Sequence, residues 1–244
     1  MIEIERLTKV YGSLQAVSDL SVRVEPGEIL GLVGPNGAGK TTTLRCLAGI
    51  IRPTFGELRI CGRSLNSDPI AAKRCLAFMP DEPRLFDHLT VAEHLEFAAR
   101  VYGIPDAAQK AAALLEEFEL RDKCHALPAE LSRGMKQKLM IACGLLHSPK
   151  ALLFDEPLTG LDPIGIRRMK SSILGRARQG ASVIVSSHLL HLVEEICDRI
   201  LIIREGRKVV HGTLQEISGA LPRPAEDASL EEIFLTITGK AVEG

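Results

Sequence analysis

A chain of 244 residues that is 45% hydrophobic and 25% charged can bury one sizeable core, within a single domain carrying a subdomain. Its formal net charge of -1 excludes a nucleic-acid partner held by a basic surface. No apolar run is long enough to cross a bilayer, since even Leu139 to Phe154 is broken by His147, Ser148, Pro149 and Lys150, so a soluble protein is expected.

The first sixty residues predict strands at Ile2 to Thr8, Val17 to Val24, Glu28 to Val33 and Glu57 to Ile60, with turns at Tyr11-Gly12 and Pro26-Gly27. The start, Met1 to Leu7, alternates apolar and polar residues and lacks the basic-then-apolar order of a secretory signal, so a cytoplasmic chain is expected. After the third strand comes Gly34-Pro35-Asn36-Gly37-Ala38-Gly39-Lys40-Thr41-Thr42, which fits GxxxxGK(S/T), and then a helix predicted over Thr42 to Ile50. Glycines let successive N–H groups turn inward on an anion, and the helix adds its positive N-terminal end. In such a loop Lys40 reaches the β and γ phosphates and Thr41 places a hydroxyl on Mg2+. A merely flexible loop does not explain why a lysine and two threonines follow at once.

From Val91 to about His147 the pattern turns helical, as in Val91-Leu95-Ala98-Tyr102 and Ala113-Leu114-Phe118, with breaks at Gly103-Ile104-Pro105 and at His125 to Pro128. Within it, Leu131-Ser132-Arg133-Gly134-Met135-Lys136-Gln137-Lys138 stands at the start of a helix whose apolar face holds Met135, Leu139, Ala142, Cys143 and Leu146. Ser132 alone reads as the cap of that helix. The strand Ala151 to Phe154 then delivers Asp155 and Glu156 to the carboxyl edge of a buried sheet, where open α/β sheets hold ligands. Phosphoryl transfer needs two carboxylates there, and the order assigns Asp155 to the metal and Glu156 to the attacking water.

Beyond it, a helix over Ile164 to Ala177, a strand over Ser182 to Ser186, a segment Leu189 to Ile196 and a strand over Arg199 to Ile203 alternate, which argues for a parallel sheet covered by helices. A turn at Glu205-Gly206 links two further strands, and Leu221-Pro222-Arg223-Pro224 reads as a linker into a last helix, Leu230 to Thr236. Six cysteines without a CxxC pair (Cys46, Cys61, Cys75, Cys124, Cys143 and Cys197) read as small buried apolar residues rather than a disulfide frame or zinc site.

Taken with the phosphate loop and the two acids, the Leu131 to Met135 segment resembles the LSGGQ signature of ATP-binding cassette (ABC) ATPases, about twenty residues before the metal strand, and the likeness covers nearly the whole chain. That resemblance implies an α/β fold: a P-loop NTPase core with a mainly parallel sheet, an N-terminal antiparallel β subdomain and an inserted α-helical subdomain. It divides one domain, 1–244, into a core at 1–88 and 148–220, a helical part at 89–147 and a tail at 221–244. It further implies that Tyr11 stacks on adenine, that Asp162 in Gly160-Leu161-Asp162-Pro163 communicates across a dimer, and that His188 contacts the γ phosphate. The other histidines remain ordinary.

Two segments depart from the family pattern. Asp81, in Pro80-Asp81-Glu82-Pro83, replaces the usual Gln of the loop joining sheet to helical part, and as an oxygen donor it keeps a metal-contact role. Arg133 replaces the first Gly of the signature and Met135 its Gln, while Ser132 and Gly134 remain. Arg133 faces either phosphate or solvent, and the sequence alone favours solvent.

The resemblance implies an ATPase with ATP and Mg2+ as cofactors, whose site is completed by Ser132, Arg133, Gly134 and Met135 of a second cassette in a homodimer or paired dimer. The tail Ser229 to Leu235 and the LSRGM signature resemble those of bacterial exporters. A separate transmembrane permease is then the partner, docked near Asp81 to Leu89, with the chain peripheral at the inner face of the membrane. The competing readings are an ATPase acting on DNA or ribosomes, which lacks here its long coiled coil or second cassette, and a regulatory ATP sensor.

Overall fold

The computed structural model describes residues 1–219 and 229–238. In chain order the first elements are β1 (Ile2–Tyr11), β2 (Leu14–Val24), β3 (Ile29–Val33), α1 (Lys40–Leu47), β4 (Phe55–Ile60), β5 (Arg63–Ser64), α2 (Pro69–Arg74) and β6 (Leu76–Met79). A helical stretch follows, with α3 (Val91–Tyr102), α4 (Ala107–Glu117), two 3-10 turns and α5 (Arg133–Leu145). Alternation then returns: β7 (Ala151–Asp155), α6 (Pro163–Arg178), β8 (Ser182–Ser186), α7 (Leu190–Ile196), β9 (Arg199–Arg204), β10 (Arg207–Gly212), α8 (Leu214–Gly219) and α9 (Leu230–Thr238).

The strands form two sheets. One is antiparallel, in the order β2-β1-β4-β5, and the other has the order β10-β9-β3-β8-β7-β6 with every pair parallel except the β10–β9 edge. Period-2 alternation decides which layer each strand residue meets. On β7, Ala151 and Leu153 point to the cluster shared with the antiparallel sheet and α1, whereas Leu152 and Phe154 point to the cluster shared with α3, α5 and α6. Strands covered on both faces are apolar along their middles, and β3, β7 and β8 are accordingly buried at every position, with polar Asp155, Ser182 and Ser186 only at their ends. Each fully buried Leu, Val or Phe there contributes roughly 1.5–3 kcal/mol against exposure.

Parallel register sets the functional edge. Leu32 and Asp155 both pair with Ser186, and Met79 pairs with Phe154, so the carboxyl ends of β3, β6, β7 and β8 lie side by side. The phosphate loop, Asp81, the Asp155-Glu156 pair and His188 each leave the sheet from one of those ends.

The folded chain differs from the sequence expectations in several places. β1 runs on to Tyr11 and β2 begins at Leu14, because the chain reverses in a two-residue hairpin with Gly12 at φ 57. The edge strand β6 and the short helices α2 and α8 escaped the pattern analysis, being four to six residues long, too short for periodicity to register. Helix α1 starts at Lys40 rather than Thr42. The linker at 221–224 lies outside the described residues. Of the cysteines only Cys46 is buried as a residue, and the other five are half-buried. The thiol of Cys143 nevertheless points inward, and burial pushes it up to about 12.

Candidate functional site

The phosphate loop owes its shape to two close approaches. A side chain at Gly34 would bring its Cβ within 2.3 Å of the Ile203 carbonyl oxygen, and one at Gly39, held at φ 105, within 2.5 Å of the Ala16 carbonyl oxygen. Only glycine lets the loop pass between β9 and β2. Gly39 then occupies the N-cap position of α1, so the first N–H groups of that helix, from Lys40 onward, lack intrahelical partners by geometry.

Lys40 is 9% exposed and folds back over its own loop, donating from Nζ to the carbonyl oxygens of Gly34 at 2.6 Å and Pro35 at 3.2 Å. Burial holds its pKa below the usual lysine value, against the opposing pull of Glu156 and Asp155. Asp155 ends β7 and is 4% exposed. It accepts from the Ser186 hydroxyl at 2.5 Å, a charge-assisted bond that offsets the cost of burying the carboxylate. Ser186 was missed by sequence reasoning; its signal was a polar residue closing an apolar strand.

Glu156 leaves the strand at φ 51, a left-handed conformation uncommon for a non-glycine residue, with its N–H donating to the Ser186 carbonyl at 3.0 Å. That turn swings its side chain to His188: Oε2 lies 2.8 Å from His188 Nδ1 and accepts from the His188 N–H at 3.3 Å. Glutamate and histidine therefore act on each other directly.

A cleft of about 420 Å3 collects these groups, lined by Tyr11, Leu14, Ala16, Asn36 to Thr42, Asp81, Asp155 and Glu156. Gly34 and Pro35 open instead on a neighbouring recess of about 520 Å3, with Asn36 on both and His188 facing the second. Tyr11 is 44% exposed at the cleft rim, with Lys9 Nζ 4.8 Å from its ring centroid. Among the described residues no three His, Cys, Asp or Glu side chains converge on a metal position. The oxygen donors Thr41, Asp81 and Asp155 in one cleft fit a hard cation that takes its remaining ligands from water and phosphate.

The signature residues stand elsewhere. Ser132 caps α5, its hydroxyl accepting from the Met135 N–H at 3.2 Å, and Asp162 caps α6, accepting from the Gly165 N–H at 2.7 Å. Gly134 passes close to Gly160, whose carbonyl oxygen lies 2.9 Å from where a Cβ would sit. None of Ser132, Arg133, Gly134, Met135 or Asp162 lines the cleft of its own chain. Arg133 is exposed, as expected, and its guanidinium also reaches Asp81 Oδ1 at 3.5 Å.

Comparison with known proteins gives these arrangements a context. A family model described as "ABC transporter" matches residues 17–159. Over 240 residues the chain is 34% identical to the ABC-type transporter ATP-binding protein EcsA of Bacillus subtilis (strain 168), covering 98% of this chain and 96% of that one. It is 37% identical over 209 residues to the SkfA peptide export ATP-binding protein SkfE of the same organism, covering 85% and 87% of the two chains. A solved ATP binding subunit of an ABC transporter matches with a TM-score of 0.93 at 35% identity, over 98% of this chain and 99% of that one.

Proposed function

The chain belongs to the ABC transporter family as an ATP-binding, ATP-hydrolysing subunit, and from that premise we propose that its nucleotide site is completed by the signature of a second cassette and drives an exporter. One observation carries the reading: Lys40, Thr41, Asp155 and Glu156 share a single cleft while Ser132 and Asp162 of the same chain stand off it. A phosphate chain lying in the loop takes Lys40 Nζ from the carbonyls of Gly34 and Pro35 and receives the N–H groups at the start of α1. Tyr11, at the rim, offers its ring to the base.

Thr41, Asp155 and Asp81 would hold Mg2+, whose charge offsets that of the phosphates when it is bound. Glu156 orients the attacking water and draws its proton, and His188, bonded to the same carboxylate, fixes the side chain and faces the terminal phosphate. Closure is a population shift: Ser132 and Gly134 gain a phosphate partner only when a second cassette is present, and Asp162 lies at the same interface.

The helical part at 89–147 then carries the signature, residues 1–88 and 148–220 bind nucleotide, and 221–244 form a tail. No helix among the described residues is long and apolar enough to cross a membrane. A transmembrane permease docking near Asp81 to Leu89 would hold the chain at the inner membrane face. Exposed Phe86, packed edge-on against Phe97 with ring centroids 5.1 Å apart, offers an apolar anchor there. Export as the direction is supported by relatives such as the peptide-export protein.

The test is a Glu156→Gln chain, which retains ATP without turning it over. Sedimentation should show a dimer in ATP and monomer without it. Monomer under both conditions overturns the shared-site reading. Co-purification with a membrane-spanning protein checks the transport assignment, and salt-sensitive retention on nucleic acid would favour the rival class instead.

A further inference from the structure

Asp81 and Arg133, far apart in the sequence, meet in the folded chain. They are 52 residues apart in sequence, one in the loop leaving β6 and the other in the first turn of α5, and Arg133 Nη2 lies 3.5 Å from Asp81 Oδ1. Asp81 lines the nucleotide cleft together with Thr41, Asp155 and Glu156. Arg133 follows Ser132 directly, and its Cδ lies 3.3 Å from where a Cβ on Gly160 would sit, so its shaft runs along the turn that leads into Asp162. A single side chain thus reaches a residue that lines the cleft of its own chain and lies along both segments assigned to the contact with another cassette.

We propose that Arg133 is the resident counter-ion of Asp81 and a positioning residue for the nucleotide site: it holds that carboxylate until Mg2+ competes for it. Loading of the cleft then frees Arg133, and with it the start of α5, to face a second cassette. Two cations cannot both take one carboxylate oxygen at full strength, and a divalent ion backed by nucleotide phosphates displaces a single guanidinium. The pair has the weakness a displaceable contact needs. Its side chains are 57% and 44% exposed, and exposed pairs of this kind shift an equilibrium by up to roughly fivefold. A Gln at position 81 and a Gly at position 133 could not form this ion pair.

The inference rests on the proposed metal role of Asp81, and its test is separable from the dimer test. Binding of a fluorescent ATP analogue is followed while Mg2+ is titrated. Arg133→Ala should lower the Mg2+ concentration at half-maximal binding by about two- to fivefold, whereas Arg133→Lys, which keeps the charge, should stay close to the parent. In an Asp81→Asn background the Arg133→Ala change should have no further effect, because no carboxylate remains to be contested. An unchanged or raised midpoint in Arg133→Ala, or an equal shift in the Asp81→Asn background, overturns the competition. The release step is read by sedimentation of the Glu156→Gln chain over the same titration, where the dimer midpoint should move with the binding midpoint; a shift in binding alone overturns release. Absence of any ATP-dependent dimer sinks the shared-site reading and leaves the binding result standing.

Discussion

The nucleotide cleft and the signature edge of this chain are built from different materials. In the cleft, Lys40 and Asp155 are 9% and 4% exposed, and their hydrogen bonds, 2.6 Å and 2.5 Å, are anchored on strands buried on both faces. At the signature edge the polar groups are exposed: Ser132 holds one helix N–H at 3.2 Å, and Arg133 a partly solvated aspartate at 3.5 Å. One region is preorganised within a single chain, and the other, in the proposed shared site, takes its remaining contacts from a second cassette. Preorganised charge in a dry site changes rates strongly, whereas exposed caps and pairs change stability slightly, so substitutions in the two regions should separate by orders of magnitude.

The widest gap should come from Glu156→Gln. Loss of a positioned general base lowers turnover by about 100-fold to 10,000-fold, and ATP binding should survive because the phosphate loop is untouched. Phosphate-release assays beside equilibrium nucleotide binding check both halves. Full turnover in the variant would move the water-activating role away from Glu156 and dissolve the contrast.

Ser186→Ala probes the buried side at its support. Its hydroxyl donates to a carboxylate that is 4% exposed, so removal should cost about 1.5–3 kcal/mol, the range for hydrogen bonds to charged groups. Urea unfolding of the nucleotide-free chain measures this directly. A midpoint equal to that of the parent would mean that Asp155 finds another donor and that the cleft is less tightly specified than its geometry suggests.

What could be read in the sequence divides along the same line. The phosphate loop and the Asp155-Glu156 pair are runs of adjacent residues whose chemistry depends on local spacing, and pattern alone located them. β3, β7 and β8 were legible as apolar runs bounded by turn residues. The edge strand β6 was not, since four residues carry no usable period, and with it went the reason Asp81 lies beside Asp155. The Ser186–Asp155 bond depends on parallel register between β7 and β8, and the Asp81–Arg133 pair on how α5 packs against the sheet. Both arise from tertiary placement. Sequence favoured solvent for Arg133, and its side chain is 57% exposed; what tertiary placement adds is the contact with Asp81.

On the exposed side, Ser132→Ala removes the acceptor for the Met135 N–H and should cost about 1 kcal/mol, the usual worth of a helix cap. In a chain of this size that lowers Tm by roughly 2–4 °C. Nucleotide binding to the isolated chain should be unchanged, because Ser132 does not line its own cleft. Turnover should fall by more than the stability loss explains, since the hydroxyl would also meet phosphate across the dimer. If turnover holds while Tm drops, Ser132 is a cap alone and the signature edge has no catalytic share.

The smallest effect expected concerns a group belonging to neither region. His147, just beyond α5, stacks on Tyr102 with ring centroids 3.8 Å apart and planes 4° from parallel, in a recess also lined by Arg74 and Lys110. Burial holds its pKa below the ordinary histidine value of 6.5, and neither buried ring nitrogen has a hydrogen-bond partner to help carry a proton. Below pH 6.5 the unfolded chain binds a proton here that the folded chain resists, so protons favour unfolding and stability falls as pH drops through that window. His211, also held low by burial and by Arg199 and Lys208, acts in the same sense, so His147 accounts for only part of the slope. Replacing His147 with Phe keeps a ring against Tyr102 and removes the titration. Denaturant midpoints at pH 7.5 and 5.5 should therefore lie closer together for His147→Phe than for the parent. An equal or wider spacing would show that the stacked imidazole takes its proton in the folded chain as readily as in water. The comparison between cleft and signature edge should be unmoved by this variant, because His147 lines neither the cleft nor the recess beside it.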